Sequence, residues 1–143
     1  MIKKIKKNVW QFYFKEFSSC VYVLKLKKLI LIDTGSKNAQ PELLTDLKKL
    51  NINPEDIEII ILTHKHYDHI GNLDLFPRAE VFTEKNITEL KIPELKIIKT
   101  PGHTREDICI LYRDILFSGD VIFDKNHVYV GRTDLPESSP EKM

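Results

Sequence analysis

The chain has 143 residues, 22 basic and 21 acidic side chains, and a composition 42% hydrophobic and 30% charged. That is the size of one ordinary domain with enough apolar material for a core, so a single globular domain over 1–143 is expected. The near-neutral balance argues against a protein that wraps nucleic acid, although a local basic patch is compatible with it. No run approaches the roughly 18 consecutive apolar residues of a membrane-spanning helix.

Lys3, Lys4, Lys6 and Lys7 make the start basic, but Lys15 and Glu16 interrupt it before any apolar run of leader length, which disfavours secretion. Cys20 and Cys109 each lie in an apolar alternating segment. Two such cysteines fit buried thiols in a reducing compartment better than a disulfide framework, and a cytoplasmic protein is expected.

Residues 9–14, 20–26 and 29–32 are short runs rich in Val, Ile, Leu and aromatics, and they predict an antiparallel meander. The third run ends in the turn Asp33-Thr34-Gly35-Ser36. Residues 41–50 then carry Leu43, Leu44, Leu47 and Leu50 at helical spacing, with Pro41 and Glu42 suited to the start and Lys48 and Lys49 to the end. Residues 57–62 are nearly all apolar and predict a strand buried on both faces. They lead into Thr63-His64-Lys65-His66-Tyr67-Asp68-His69. A short helix is expected over 70–76, strands over 79–82 and 95–99, and a paired set over 108–112 and 115–117 joined by Arg113-Asp114. A hairpin is expected over 121–130, and a polar, frayed tail over 135–143.

Strands thus end in His- or Asp-bearing loops at three places, where a site would be built. His64, His66, Asp68 and His69 fall within six residues of a chain with only five His. Imidazole and carboxylate suit Zn, Fe or Mn, and residues two apart at a strand end project to the same side, so His64 and His66 can share one ion. Asp68 and His69 point to a neighbouring position. Gly102-His103 and Gly119-Asp120 are each weak signals, but both follow apolar strands, so His103 can complete a three-His set and Asp120 can bridge two ions. Asp33 reads either as an acceptor that orients a ligand imidazole or as a turn former.

The ordered set Ile32-Asp33-Thr34-Gly35, Thr63 to Gly71, Pro101-Gly102-His103-Thr104 and Ser118-Gly119-Asp120 resembles the metallo-β-lactamase superfamily, over residues 9–136. Gly131-Arg132-Thr133-Asp134-Leu135-Pro136 is similar to the branch of hydroxyacylglutathione hydrolases (glyoxalase II) and persulfide dioxygenases. The resemblance implies an α/β, four-layer αββα sandwich with metals at one edge. It also implies that His64, His66 and His103 bind one metal, that Asp68 and His69 bind a second, and that Asp120 bridges them. Members normally continue to a last His on metal two. This sequence ends at Met143, so the expected sandwich is incomplete at its C-terminus, and His127 reads as a surface residue. An uncovered sheet edge would then invite a second copy or a separately encoded C-terminal piece, unless the sequence is a fragment.

The leading expectation is a metal-dependent hydrolase of a small-molecule thioester, using two Zn ions, with Fe or Mn as alternatives, and a metal-bound hydroxide that Asp68 or Asp120 orients. A thiolate leaving group needs no dedicated general acid. A second expectation is a persulfide dioxygenase with one iron on His64, His103 and Asp120. A third is a non-catalytic metal-binding subunit that a partner completes. Nuclease activity ranks last, because no basic appendage for RNA is visible. Arg132 and Asp134 read as a structural ion pair or a substrate contact, the pair being preferred.

Overall fold

A computed structural model describes residues 1–124 and 128–130, with side chains up to residue 121. The chain divides into two compact units, Met1–Phe82 and Thr83–Met143, taken here in turn.

In the first unit the predicted meander forms as β2 (Val9–Phe12), β3 (Val21–Lys25) and β4 (Leu29–Ile32), paired antiparallel. The sequence reading missed β1 (Ile2–Lys6), which pairs with β2 as an edge strand. Its three lysines surround Ile2 and Ile5, whose spacing of three breaks strand alternation where the pairing shifts between Lys4 and Lys6, and lysine on an edge also discourages pairing with other chains. The predicted strand over 57–62 shortens to β5 (Ile59–Ile61), because Pro54–Asp56 makes a 3-10 turn and Ile57 leaves it in extended backbone. β5 lies parallel between β4 and β6 (Glu80–Phe82), which completes a six-stranded sheet in the order β1 to β6.

Register assigns the faces. Phe12 pairs with Val21, and Val23 with Leu31 and on to Ile60. These side chains are buried together with Leu43 and Leu47 of helix α1 (Gln40–Lys49), so the helix covers that face. Val9, Leu24, Ile30 and Ile59 form the corresponding row on the opposite face, and all are buried as well. The all-isoleucine β5 is therefore enclosed on both sides, as its unbroken apolar run implied. One member of the expected apolar stripe differs. Leu44 is exposed, whereas Asp46 is buried and its carboxylate meets the Met1 amino group at 2.9 Å and Lys49 at 3.8 Å.

The short helix expected over 70–76 begins earlier. Helix α2 is Tyr67–Ile70, followed by a 3-10 turn at Leu73–Leu75. Asn72 stops it, because its side-chain amide donates to the carbonyls of Thr34 and Ser36, each at 2.8 Å, a partnership that a continued helix would break.

The second unit holds β7 (Leu95–Lys99), β8 (Ile108–Tyr112) and β9 (Ile115–Phe117), an antiparallel three-stranded sheet. Tyr112 pairs with Ile115 across the expected Arg113-Asp114 turn, where Arg113 takes the positive φ of 55° that a two-residue hairpin turn demands. The expected last hairpin forms as β10 (Ile122–Asp124) and β11 (Val128–Val130). His127, the Gly131 to Pro136 segment with Arg132 and Asp134, and the tail fall outside the described residues. The architecture is thus mixed α/β, rich in sheet and with few helices. No helix among the described residues is long and apolar enough to cross a membrane.

Gly71 is where the Asp33 to Ser36 turn presses closest on α2. Its N–H donates to the Gly35 carbonyl at 2.8 Å, and a Cβ there would strike the Lys37 amide nitrogen and come within 2.7 Å of the Ser36 carbonyl carbon. Both neighbours are backbone and cannot swing away. Gly71→Ala is expected to lower unfolding stability by ~1–3 kcal/mol in urea denaturation, the usual cost of overpacking. An unchanged midpoint would show that the two segments can separate freely.

Candidate metal centre

Parallel pairing of β4 and β5 sets Ile32 opposite Ile61, so both strands finish at the same edge. The Asp33 N–H donates to the Ile61 carbonyl at 2.9 Å, and Asp33 itself adopts φ 60°, a left-handed conformation that Asp tolerates better than most residues. Its carboxylate is buried at the start of the metal motif. Oδ1 accepts from the Thr63 N–H at 2.8 Å, while Oδ2 accepts from the Thr63 hydroxyl and from His69 Nδ1, each at 2.8 Å.

These bonds assign the imidazole tautomers. A carboxylate oxygen can only accept, so His69 carries its proton on Nδ1. Thr63 spends its single hydroxyl proton on Asp33, which leaves its oxygen to accept from His64 Nδ1 at 3.2 Å. In both rings Nε2 is then the nitrogen whose lone pair suits a metal. Asp33 therefore acts as the orienting acceptor, directly on His69 and through Thr63 on His64. It also forms the turn, with its backbone at φ 60°.

The remaining ligand candidates of this unit gather around these two rings. His64 and His69 are buried with ring centroids 4.1 Å apart, and His66 stands edge-on to His64 at 4.6 Å. Asp68 Oδ2 lies 3.7 Å from His69 Nε2. Backbone bonds hold the motif from outside. The Thr34 N–H and hydroxyl both donate to the His69 carbonyl at 2.8 Å, and the Ser19 N–H donates to the Asp68 carbonyl at 3.2 Å. Sequence reasoning missed Thr34 and Asn72 as positioning residues. Thr34 was in view as part of a turn signal, but a turn pattern does not reveal which distant segment its donors reach.

In the second unit His103 is buried in the loop after β7, and its Nε2 lies 3.4 Å from Asp120 Oδ2. Gly119, at φ 55°, supplies the left-handed turn that precedes Asp120. The His103 loop folds around Asp107, which was also missed. Its carboxylate accepts from the Thr104 N–H and, at 3.0 Å, from the Thr104 hydroxyl. A Thr-x-x-Asp spacing directly after the His was the signal available.

A half-buried polar group lies on the six-stranded sheet near its Asp33 edge, where Tyr22 pairs with Ile32. Gln11 Nε2 donates to the Tyr22 hydroxyl at 3.1 Å and lies 3.5 Å from Cys20 Sγ. Cys20 is only half-buried, whereas Cys109 is buried as expected, and both thiols are free. Burial raises the Cys20 pKa. The Tyr22 phenol is pushed up to about 12, first by burial and then by the neighbouring Cys20, with Asp33 adding to the rise.

The donor set fits a first-row divalent ion. Imidazoles oriented through Nδ1, with a carboxylate alongside, are the chemistry that zinc, iron and manganese accept.

The family model described as the metallo-beta-lactamase superfamily matches residues 14–91, more than half of the chain. The chain belongs to that superfamily. Two proteins of Methanocaldococcus jannaschii named as probable metallo-hydrolases are each 34% identical. One aligns over 69% of this chain and 54% of its own length, the other over 84% and 73%. A hydroxyacylglutathione hydrolase of Buchnera aphidicola is 32% identical over 75% of this chain and 49% of its own length. The chain thus spans about half the length of several relatives it matches. Among solved structures, the B3 metallo-beta-lactamase BLEG-1 superposes with a TM-score of 0.69 and 25% identity, over 93% of this chain and 80% of that one. The rubredoxin oxygen:oxidoreductase of Desulfovibrio gigas shares the fold, with a TM-score of 0.68 at 18% identity over 85% and 41%.

Asp33→Ala is expected to weaken retention of a divalent ion by about 10–100-fold in chelator competition, because His69 loses its acceptor and Thr63, which accepts from His64, loses the carboxylate that fixes its hydroxyl. Retention equal to that of the unaltered chain would remove Asp33 from the metal's support. Tyr22 keeps its proton in the folded chain up to about pH 12, while the unfolded phenol loses it near 10. The unfolded state then binds fewer protons, so the Tyr22 contribution is fully present below pH 10 and is lost as pH rises towards 12. Urea denaturation across that window should show a shallower fall in stability for Tyr22→Phe than for the unaltered chain.

Proposed function

We propose that this chain is a metal-dependent hydrolase whose substrate is a thioester. The hydrogen-bond chain from Asp33 to His69, and through Thr63 to His64, carries the reading, since it presets two buried imidazoles for one task. The proposed ligands are His64, His66 and His103 for one ion and Asp68 and His69 for a second, with Asp120 bridging. The places of His103 and Asp120 rest on the motif order of the family. Two zinc ions are the proposed complement. The relatives named hydroxyacylglutathione hydrolase support the thioester and the glyoxalase II-like branch. The free thiols Cys20 and Cys109 support a cytoplasmic, reducing setting.

When bound, the ions supply Lewis acidity, which polarises a carbonyl oxygen and acidifies a water. The protein does the rest. Asp33 keeps the protons of His64 and His69 on the side away from the ligand nitrogens, so neither ring has to reorient on binding. Asp68 and Asp120 orient the attacking water and accept its hydrogen bonds. The departing thiolate is a weak base and leaves without a proton donor, which fits a motif set that contains no further acid.

Elemental analysis of protein purified without added metal is expected to give two zinc ions per chain, together with hydrolysis of a simple acyl thioester that His66→Ala reduces by at least 100-fold. One iron per chain with oxygen uptake on a persulfide would replace the hydrolase by the dioxygenase. Neither metal nor turnover would leave a subunit that acts only with a partner.

A further inference from the structure

The near-neutral total charge conceals an uneven distribution. The first 28 residues hold eight lysines against one acid, Glu16, a charge of +7, while the remaining 115 residues carry 14 basic and 20 acidic side chains, a charge of −6. The fold gathers five of these lysines towards one end of the six-stranded sheet. Lys7 stands in the turn between β1 and β2, where Asn8 takes a φ of 67°, and Lys27 and Lys28 stand in the turn between β3 and β4. The Lys25 N–H donates to the Asn8 carbonyl at 2.9 Å, which sets the two turns side by side. Lys4 pairs with Trp10 across β1 and β2, and the Lys4 and Lys25 ammoniums stand 5.8 and 5.1 Å from the Trp10 ring centroid. Trp10 is half-buried against the core, so one fixed indole steers both stems.

Among the described residues none of Lys4, Lys7, Lys25, Lys27 and Lys28 forms an ion pair, although the other lysines Lys37, Lys49, Lys85 and Lys99 do. Glu58 is the acid at this rim, and its carboxylate accepts from the Leu29 N–H at 2.9 Å. Like charges on adjoining turns repel, and a polyanion relieves that repulsion. The rim lies where β4 begins, whereas Asp33 and the metal motif lie where β4 ends, ~15 Å along the strand.

The composition of the rim selects its occupant. None of the exposed large apolar side chains, Met1, Tyr13, Phe17, Leu44, Tyr67 and Leu116, stands in either turn, so the rim lacks the apolar anchor of a stable membrane attachment. Its one aromatic ring is half-buried and engaged by two lysines, so it offers no platform for unstacked bases. Its cations are all lysine, point charges without the planar fork that reads base edges. What remains is contact with closely spaced phosphates, and a nucleic-acid duplex presents one charge per ~1.7 Å of its axis.

We propose that the two lysine-bearing turns dock on the phosphate backbone of a nucleic-acid duplex without reading its sequence, at the end of the sheet remote from the metal motif. The duplex is a tether there and not a substrate. The proposal does not rest on the metal-dependent reading above.

Fluorescence anisotropy of a labelled DNA duplex of about 20 base pairs, titrated with the full chain at several NaCl concentrations, tests the contact. Five phosphate contacts give a slope of log affinity against log salt of about −4.5. Replacing three of the lysines together, Lys7→Gln, Lys27→Gln and Lys28→Gln, is expected to bring the slope to about −1.8 and to weaken binding at low salt by about tenfold or more. Lys85→Gln, Lys91→Gln and Lys96→Gln together remove the same charge from the second unit and should leave the slope unchanged. Absence of binding at low salt overturns the proposal, and so does an equal loss in the second triple variant, which marks overall charge alone. Preference for phosphatidylserine vesicles over the duplex assigns the rim to a membrane, and cleavage of the duplex assigns it to the metal motif; either result overturns the tether.

Discussion

One buried carboxylate organises this protein. Asp33 sits where two parallel strands end side by side, and it satisfies the Thr63 N–H, the Thr63 hydroxyl and the His69 ring within a single hydrogen-bond shell. A carboxylate removed from water costs free energy unless its lone pairs are met, and here they are met by donors that belong to the metal motif. The need to satisfy Asp33 and the need to orient the imidazoles are thus one constraint. The left-handed backbone at Asp33 follows from it, because it accompanies the turn that brings the side chain to Thr63 and His69.

From that carboxylate the support spreads outward through backbone contacts. Thr34 grips the His69 carbonyl, Asn72 grips the Thr34 and Ser36 carbonyls, and Gly71 lets the two segments touch. Four residues of turn and four residues of helix would each be marginal alone. They hold because each supplies the hydrogen-bond partners that the other's termini lack. The Phe17 loop is tied into the same arrangement through Ser18, Ser19 and Ser36.

The motif decides less than the whole of the chemistry, and the loops decide the rest. Proteins with this fold carry names as different as beta-lactamase, hydroxyacylglutathione hydrolase and rubredoxin oxygen:oxidoreductase. A strand-end cluster of imidazoles and carboxylates specifies a metal and a polarised reaction centre. The substrate is chosen by side chains outside that cluster, which vary without disturbing the sheet beneath.

The sequence alone determined the meander, the amphipathic α1 and the concentration of ligand-type residues at strand ends, because each is written in local periodicity or spacing. It was misleading where a local signal was overlaid by another demand. Lysines hid the edge strand β1, and Ile70 to Phe76 read as helix although Asn72 is drawn to carbonyls more than thirty positions earlier in the chain. It was silent on partners. Asp33 was legible only as one of two possibilities, and Asp107 was not singled out, because a buried carboxylate is defined by the donors around it. Only the tertiary structure decided that the ends of β4 and β5 coincide, which places Asp33 on Thr63 and His69 and so fixes which nitrogen of each imidazole is presented. That choice depends on hydrogen bonds between residues thirty or more positions apart, a separation at which periodicity carries no information.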